Sequence, residues 1–247
     1  MFKHLSGTLK LKSYPAIVLS VEPVSEIDLK VDFLTPAGKV LAVAKGGRKS
    51  KRRFLNLFSE LNILRVNLRK SSRTIFPIID SADLIYQVKS PWFERQKFEF
   101  FSYLAELLSY LGKGLLEEGI FSFWVSFIKM ADNNPLSERL IFLLEAKVLK
   151  HLGYAPLMDE CVKCGNRPKR VFYFSVERGG ILCLHCRDDR SIPLSLAEVE
   201  CLRNYHLLKD PKGVFGLPHP SSKLLRLVRQ FLIYYLGLDL KPSCQGI

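Results

Sequence analysis

Asp28-Leu29-Lys30-Val31-Asp32-Phe33, then the turn-forming Pro36-Ala37-Gly38-Lys39 and the apolar run Val40 to Ala44, decide the fold of the first third of the chain. Polar and apolar residues alternate strictly from Asp28 to Phe33, as in a strand with one buried face, and Pro36 and Gly38 suit a turn. Outward from this stretch the same texture continues. Thr8 to Lys12 alternates, Ala16 to Val21 is a compact apolar run, and Leu64, Val66 and Leu68 share a face opposite Arg65, Asn67 and Arg69. Thr74 to Ile79 reads as a last short strand, with Pro77 implying an edge or a bulge. Five or six short strands in about 80 residues predict a small closed barrel, because closure removes exposed strand edges.

The texture changes at Ser90-Pro91, where proline suits a first helical turn and Ser90 can cap it. Apolar residues then recur at helical spacing from Trp92 to Leu111, with Gly112-Lys113-Gly114 as the stop. Further helices are predicted over Glu118 to Ala131 and Leu136 to Leu152, the first three packing on each other. Two more are predicted over Leu194 to Leu208 and Ser222 to Leu236. Their aromatic stripes read as core. The chain shows no internal repeat and no low-complexity tract.

Between the third and fourth helices lie Cys161-x2-Cys164 and, after 18 residues, Cys183-x2-Cys186. Two residues between ligands let a tight turn aim both sulfurs at one ion, and two such turns complete a tetrahedron. Gly165 gives the first turn an unhindered backbone. Phe172 to Phe174 and Ile181 to Cys183 read as strands around the turn Glu177-Arg178-Gly179-Gly180, which brings the pairs together. The expectation is one structural zinc ion, since four sulfurs leave no position for water. An iron–sulfur centre, two disulfides and free thiols are the alternatives. His185 is not needed as a ligand, and Cys201 and Cys244 have no partner motif.

Lys plus Arg number 37 against 24 Asp plus Glu, a formal net charge of +13 over 247 residues. The excess is uneven: residues 1–90 hold 16 basic and 7 acidic side chains, and residues 91–247 hold 21 and 17. This points to a polyanion-binding module joined to a near-balanced remainder. Its focus is Lys45-Gly46-Gly47-Arg48-Lys49-Ser50-Lys51-Arg52-Arg53, six cations in nine residues with no acid. Arg offers bidentate phosphate contacts and Lys a point charge. Arg65 and Arg69, with Lys10 and Lys12, extend the track. Phe54 and Phe58 are candidates for base stacking or, as their neighbours suggest, for core.

The sequence carries no G-x4-GK-[ST], G-x-S-x-G or H-E-x-x-H motif, so no enzyme is expected. Asp80 and Asp83 are the only candidates for a metal-dependent nuclease. No run reaches the 18 or so apolar residues of a spanning helix, and the N-terminus lacks the pattern of a secretory signal, so no membrane association and cytoplasmic residence are expected.

In order, Ser25-Glu26-Ile27-Asp28, Leu34-Thr35-Pro36-Ala37-Gly38-Lys39, Val43-Ala44-Lys45-Gly46-Gly47-Arg48, Leu152-Gly153-Tyr154-Ala155-Pro156, the cysteine pairs with Phe174-Ser175 and Gly179-Gly180 between them, and Arg226 to Gly237 with Lys241-Pro242-Ser243 resemble the bacterial RecO family of DNA repair proteins. The resemblance covers nearly the whole chain. It departs at Gly47-Arg48, where the family usually has Ala-Arg, and is weak over Met1 to Lys12. It implies an α+β multidomain fold: an N-terminal OB-fold barrel over 1–82, a helical domain over 83–157 and 192–247, and a zinc module over 158–191. It further implies binding of single- and double-stranded DNA, annealing of complementary strands, and work with RecR and single-stranded DNA-binding protein to load RecA in the nucleoid. The zinc is then a support that not all members keep. Lys45, Arg48, Lys49, Lys51, Arg52, Arg53, Arg65 and Arg69 are the DNA-contact candidates. Arg139, Lys147, Lys150, Arg226 and Arg229 are candidates for the acidic, apolar tail of single-stranded DNA-binding protein. The competing reading is a zinc-ribbon scaffold for RNA or protein.

Overall fold

The computed structural model describes residues 12–70, 75–111 and 116–237. Lys10, the start of the strand predicted from Thr8, the stop at Gly112 to Gly114, Lys241 to Ser243 and Cys244 lie outside them. The chain divides into two compact units, Met1–Lys89 with Ala105–Lys129, and Ser90–Leu104 with Met130–Ile247. The division passes within two helices, and the four-cysteine module falls inside the second unit.

The first unit holds a closed five-stranded barrel, ordered β1-β2-β3-β5-β4, from β1 (Lys12–Pro23), β2 (Leu29–Thr35), β3 (Gly38–Ala44), β4 (Ile63–Arg69) and β5 (Ile78–Tyr86). The opening stretch folds as predicted. Leu29 to Thr35 pairs antiparallel with Gly38 to Ala44, and Thr35 Oγ1 donates to Gly38 O at 2.8 Å across the turn. β1 is shared between two partners. Its first half pairs with β4 and its second with β2, Ile17 facing both Ile63 and Leu34, and a register shift between Val18 and Ser20 bends it. A parallel contact of Val43 with Ile78 closes the barrel. Ala16, Val18, Val31, Phe33, Ala42, Leu64, Val66 and Ile79 fill the inside, one face of each strand.

Phe54 belongs to this core at 4% exposure, its ring 5.2 Å from that of Phe58. Phe54 therefore serves packing, and the half-buried Phe58 packs against it. β5 differs from the sequence reading, running on to Tyr86 where a strand ending at Ile79 is predicted. In the same unit Lys39 Nζ donates to Ser109 O, and Lys129 Nζ lies 5.4 Å from the Tyr86 ring centre.

The helices are α1 (Arg95–Ser109), α2 (Ile120–Asn133), α3 (Glu138–His151), α4 (Leu196–Leu207) and α5 (Ser222–Leu236). Ser90 to Trp92 form a separate 3-10 turn ahead of α1. In the second unit α3 is the central helix, packed against α4 and α5. Every residue from Leu140 to Leu149 is buried, including Glu145 and Lys147. Phe142 meets Tyr205 of α4 edge-on at 4.7 Å. α5 has the predicted limits because both ends are capped: Ser221 Oγ accepts from Leu224 N, and Gly237 takes the left-handed conformation at φ 61°.

A three-stranded sheet ordered β7-β6-β8 completes this unit, with β6 (Phe172–Ser175), β7 (Gly180–Leu182) and β8 (Ile192–Leu194). Pro193 and Leu194, at the start of the helix predicted over Leu194 to Leu208, lie in β8. The helix starts after it, at a capping box in which Glu198 N donates to Ser195 Oγ and Ser195 N to Glu198 Oε2. Phe174 packs edge-on against Phe231 of α5, at 5.5 Å.

Candidate nucleic-acid interface and metal centre

The basic segment leaves the barrel at Ala44 and re-enters the core at Phe54. Gly46 adopts the left-handed conformation at φ 68°, and Gly47 to Lys49 make one 3-10 turn. Its six cations are not equivalent. Lys45 Nζ pairs with Asp28 Oδ2 at 2.7 Å. The Arg53 guanidinium donates to the backbone oxygens of Ile79 and Asp80 and lies 4.7 Å from the Phe54 ring centre. Arg69 on β4 lies 3.3 Å from Asp80, and Arg65 is in register with Asp83. Arg48, Lys49, Lys51, Arg52 and Arg65 are exposed, and their side chains have no ion-pair or hydrogen-bond partner among the described residues. The barrel thus offers five uncommitted cations in one chain neighbourhood. Asp80, one of the two nuclease candidates, is held by Arg69.

Four cysteines converge in the second unit. The Sγ atoms of Cys161, Cys164, Cys183 and Cys186 all lie within 4.8 Å of one another, and Cys164 and Cys183 are 3.7 Å apart. Four sulfurs at about 2.3 Å from a tetrahedral zinc would be about 3.8 Å apart, so the donor set fits such an ion. The pairs sit on two tight turns. Gly165 N donates to Cys161 O at 2.8 Å with φ 72° at Gly165, and Cys186 N donates to Cys183 O at 3.0 Å.

β7 binds the two turns together. Val162 N donates to Ile181 O and Ile181 N to Leu157 O, both at 2.9 Å. Gly180 permits this approach, since a Cβ there would lie 2.5 Å from Leu157 O and 2.7 Å from Val162 Cγ1. Burial resists ionisation of Cys161, but backbone groups of Cys183, Lys163 and Cys164 pull its thiol down to about 6. The hydrogen bond with Cys164, then burial, push Cys186 up to about 12. Four crowded thiols do not all lose protons without a cation among them, so the cluster is chemically disposed to hold a metal ion. Cys201 is buried and outside the cluster.

The five tail-binding candidates separate. Arg226 and Arg229 line a cavity of about 210 Å³ with Glu138, Ile141, Ser222 and Leu225. Arg229 also grips Glu145, through Nε at 2.9 Å and Nη2 at 2.8 Å, and Tyr103 Oη donates to the same oxygen at 3.0 Å. Arg139 donates to Phe215 O at 3.1 Å, and Lys150 to His206 O at 2.9 Å. Lys147 differs from the surface cation the sequence suggested: it is 1% exposed and its ammonium donates to His206 O and Leu208 O, so its charge is directed at the end of α4. The sequence placed Asp28 in a quoted motif but did not show its role, which is to anchor the basic segment from 17 residues upstream.

No helix among the described residues is long and apolar enough to cross a membrane. The family model for the recombination protein O N terminal matches residues 9–88, and that for the recombination protein O C terminal matches residues 95–243. The chain is 32% identical over 184 residues to a DNA repair protein RecO of Thermoanaerobacter sp. (strain X514), covering 73% of each chain. It is 28% identical over 240 residues to that of Syntrophus aciditrophicus (strain SB), covering 91% of this chain and 90% of the relative. For that of Bacillus pumilus (strain SAFR-032) the identity is 26% over 236 residues, with 92% and 90% covered. Matched in both halves by the models and nearly end to end by these relatives, the chain belongs to the RecO family of DNA repair and recombination proteins.

Proposed function

We propose that this chain is a recombination mediator that binds single- and double-stranded DNA through its barrel and anneals complementary strands. The observation that carries this is the set of five uncommitted cations, Arg48, Lys49, Lys51, Arg52 and Arg65, on one barrel loop and the strand after it. Two single strands repel through their phosphates. A basic surface that holds both lowers that barrier and releases counterions. Base pairing supplies the driving force, so the reaction needs no nucleotide and no catalytic group.

The four cysteines hold one structural zinc ion in this reading. Cys161 and Cys183 are buried, and four protein sulfurs close the coordination sphere. The metal would pin the turns after Leu157 and Leu182 to one another. In the cell the protein works in the cytoplasm at the nucleoid, with RecR as partner in loading RecA. The acidic, apolar tail of single-stranded DNA-binding protein takes the cavity formed by Ile141, Leu225, Arg226 and Arg229, where apolar walls and a guanidinium lie together.

The test is annealing of complementary oligonucleotides without nucleotide. The full chain is expected to speed annealing well above the spontaneous rate and to lose that effect at high salt. A rate equal to the spontaneous one, with RNA or protein bound in preference to DNA, would favour the zinc-ribbon scaffold instead.

A further inference from the structure

Asp28 is an acid at the root of a segment read as a phosphate-binding loop. By simple charge counting it opposes that role. Its geometry says otherwise. Oδ2 accepts from Lys45 Nζ at 2.7 Å and Oδ1 from Gly46 N at 2.8 Å. The side chain is 12% exposed, so both oxygens face the loop and not solvent. Lys45 and Gly46 hold the carboxyl below its ordinary value, the lysine contact being the larger cause.

Asp28 is itself fixed. Ser25 Oγ accepts from Asp28 N at 3.0 Å and Ile27 N at 3.3 Å, and Val24 N donates to Asp28 O at 3.1 Å. The adjoining backbone joins the contact, with Arg48 N donating to Ile27 O at 2.9 Å. Gly47 completes the seat, because a Cβ there would lie 2.9 Å from Ala44 Cβ. The far end of the segment is tied as well. Ser50 Oγ accepts from Arg53 N and Phe54 N, each at 3.0 Å, and Phe54 is in the core.

The result is a short arch fastened at both ends. The side chains of Arg48, Lys49, Lys51 and Arg52 project from it without ion-pair or hydrogen-bond partners among the described residues, while the acid at its root is sealed inside. Four neighbouring cations repel, and a free segment would spread them. Ordering them only on binding costs affinity, whereas a preformed arch avoids that cost.

We propose that Asp28 is a positioning residue for DNA, clamping the root of the basic loop so that removing this negative charge weakens the binding of a polyanion instead of strengthening it. This rests on the reading that the loop binds DNA. It goes further in assigning an acid a favourable role and in fixing the sign of its removal.

The experiment measures equilibrium binding of a labelled single-stranded oligonucleotide to the full chain over a range of salt. The proteins are the parent, D28N, E26Q, the pair R48A/K49A, and D28N combined with that pair. Glu26 is an exposed acid two residues away, outside the clamp. Charge counting predicts that D28N and E26Q both tighten binding. The proposal predicts that D28N binds about fivefold more weakly with a shallower salt slope, while E26Q stays level or tightens. It also predicts that D28N has little further effect once Arg48 and Lys49 are gone, whereas a general loss of folded protein would lower both backgrounds alike.

D28N binding as well as or better than the parent, with R48A/K49A weak, overturns the proposal and leaves the DNA reading standing. R48A/K49A binding like the parent overturns the DNA reading of the loop, and the proposal with it. Should D28N fail to fold, S25A decides: it alters no charge and removes only the bonds that fix Asp28. Weaker binding by S25A supports the clamp, and unchanged binding overturns it.

Discussion

The ammonium of Lys147 on α3 donates to the backbone oxygen of His206, the penultimate residue of α4, at 2.7 Å. The last carbonyls of a helix lack intrahelical partners and carry the negative end of its dipole. A buried lysine therefore satisfies them while α3 packs alongside. Lys97 of α1 does the same for the end of α2, donating to Asn134 O at 2.6 Å and to Asp132 O at 3.2 Å. Burial, reinforced by Lys150, pushes the Lys147 ammonium down to about 7 from an ordinary 10.5. Between those values the folded chain holds fewer protons than the unfolded chain, so stability rises with pH. Denaturant titrations from pH 7 to 10 should show the parent gaining stability relative to K147M. A constant difference across that range would assign Lys147 an ordinary pKa.

His206 gives the acid counterpart. It is 7% exposed, and neither ring nitrogen has a hydrogen-bond partner among the described residues. Burial first, then Lys147, Lys150 and His151, push it down to about 3. Below its unfolded value of about 6.5 the unfolded chain gains a proton that the folded chain refuses, so stability falls as pH drops from about 6.5 toward 3. H206L should flatten this limb, read as the shift of the melting midpoint between pH 7 and 4.5. An equally steep loss in H206L would place the acid sensitivity elsewhere.

What the sequence made legible was local. The strands from Leu29 to Ala44 and at Ile63 to Arg69 show because one face of each is buried. The zinc-type turns show because each places two ligands within four residues. What it hid depends on distant partners. Glu145 and Lys147 look like a solvated helix face, yet both are buried because Arg229 lies 84 residues from one and His206 59 from the other. The end of β5 was hidden because Leu84 and Ile85, adjacent and both 45% exposed, break the alternation a strand reading relies on. Asp28 was named in the motif, but its bond to Lys45 spans 17 residues and no local pattern reveals it.

The cysteine cluster predicts how metal loss divides between folding and function. Zinc would hold Leu157, Val162 and Ile181 in register, and β6 carries that order to Phe231 of α5 through Phe174. C161S, or strong chelation, should therefore release one zinc per chain and lower the stability of the second unit by about 3 kcal/mol or more. The cations of the barrel lie in the other unit. Affinity for single-stranded DNA, measured below the melting temperature, should change less than about twofold, within the range of surface effects. A folded C161S protein with lost DNA binding would instead make the cysteine module a direct DNA contact.

Salt dependence reads the number of working cations. Each phosphate neutralised on a single strand contributes about −0.7 to the slope of log affinity against log salt. If all eight candidates met phosphates, the slope would approach about −5.6. Lys45, Arg53 and Arg69 are engaged by Asp28, by the backbone of Ile79 and Asp80, and by the Asp80 carboxylate. That leaves Arg48, Lys49, Lys51, Arg52 and Arg65, and an expected slope of about −3.5. Replacing the four loop cations with alanine should leave Arg65 alone and bring the slope to about −0.7, without loss of the folded barrel, since none of the four contributes to the core. A slope near zero in the parent would remove the electrostatic account of binding. A slope near about −5.6 would mean that DNA breaks the internal pairs of Lys45, Arg53 and Arg69 and recruits those cations as well.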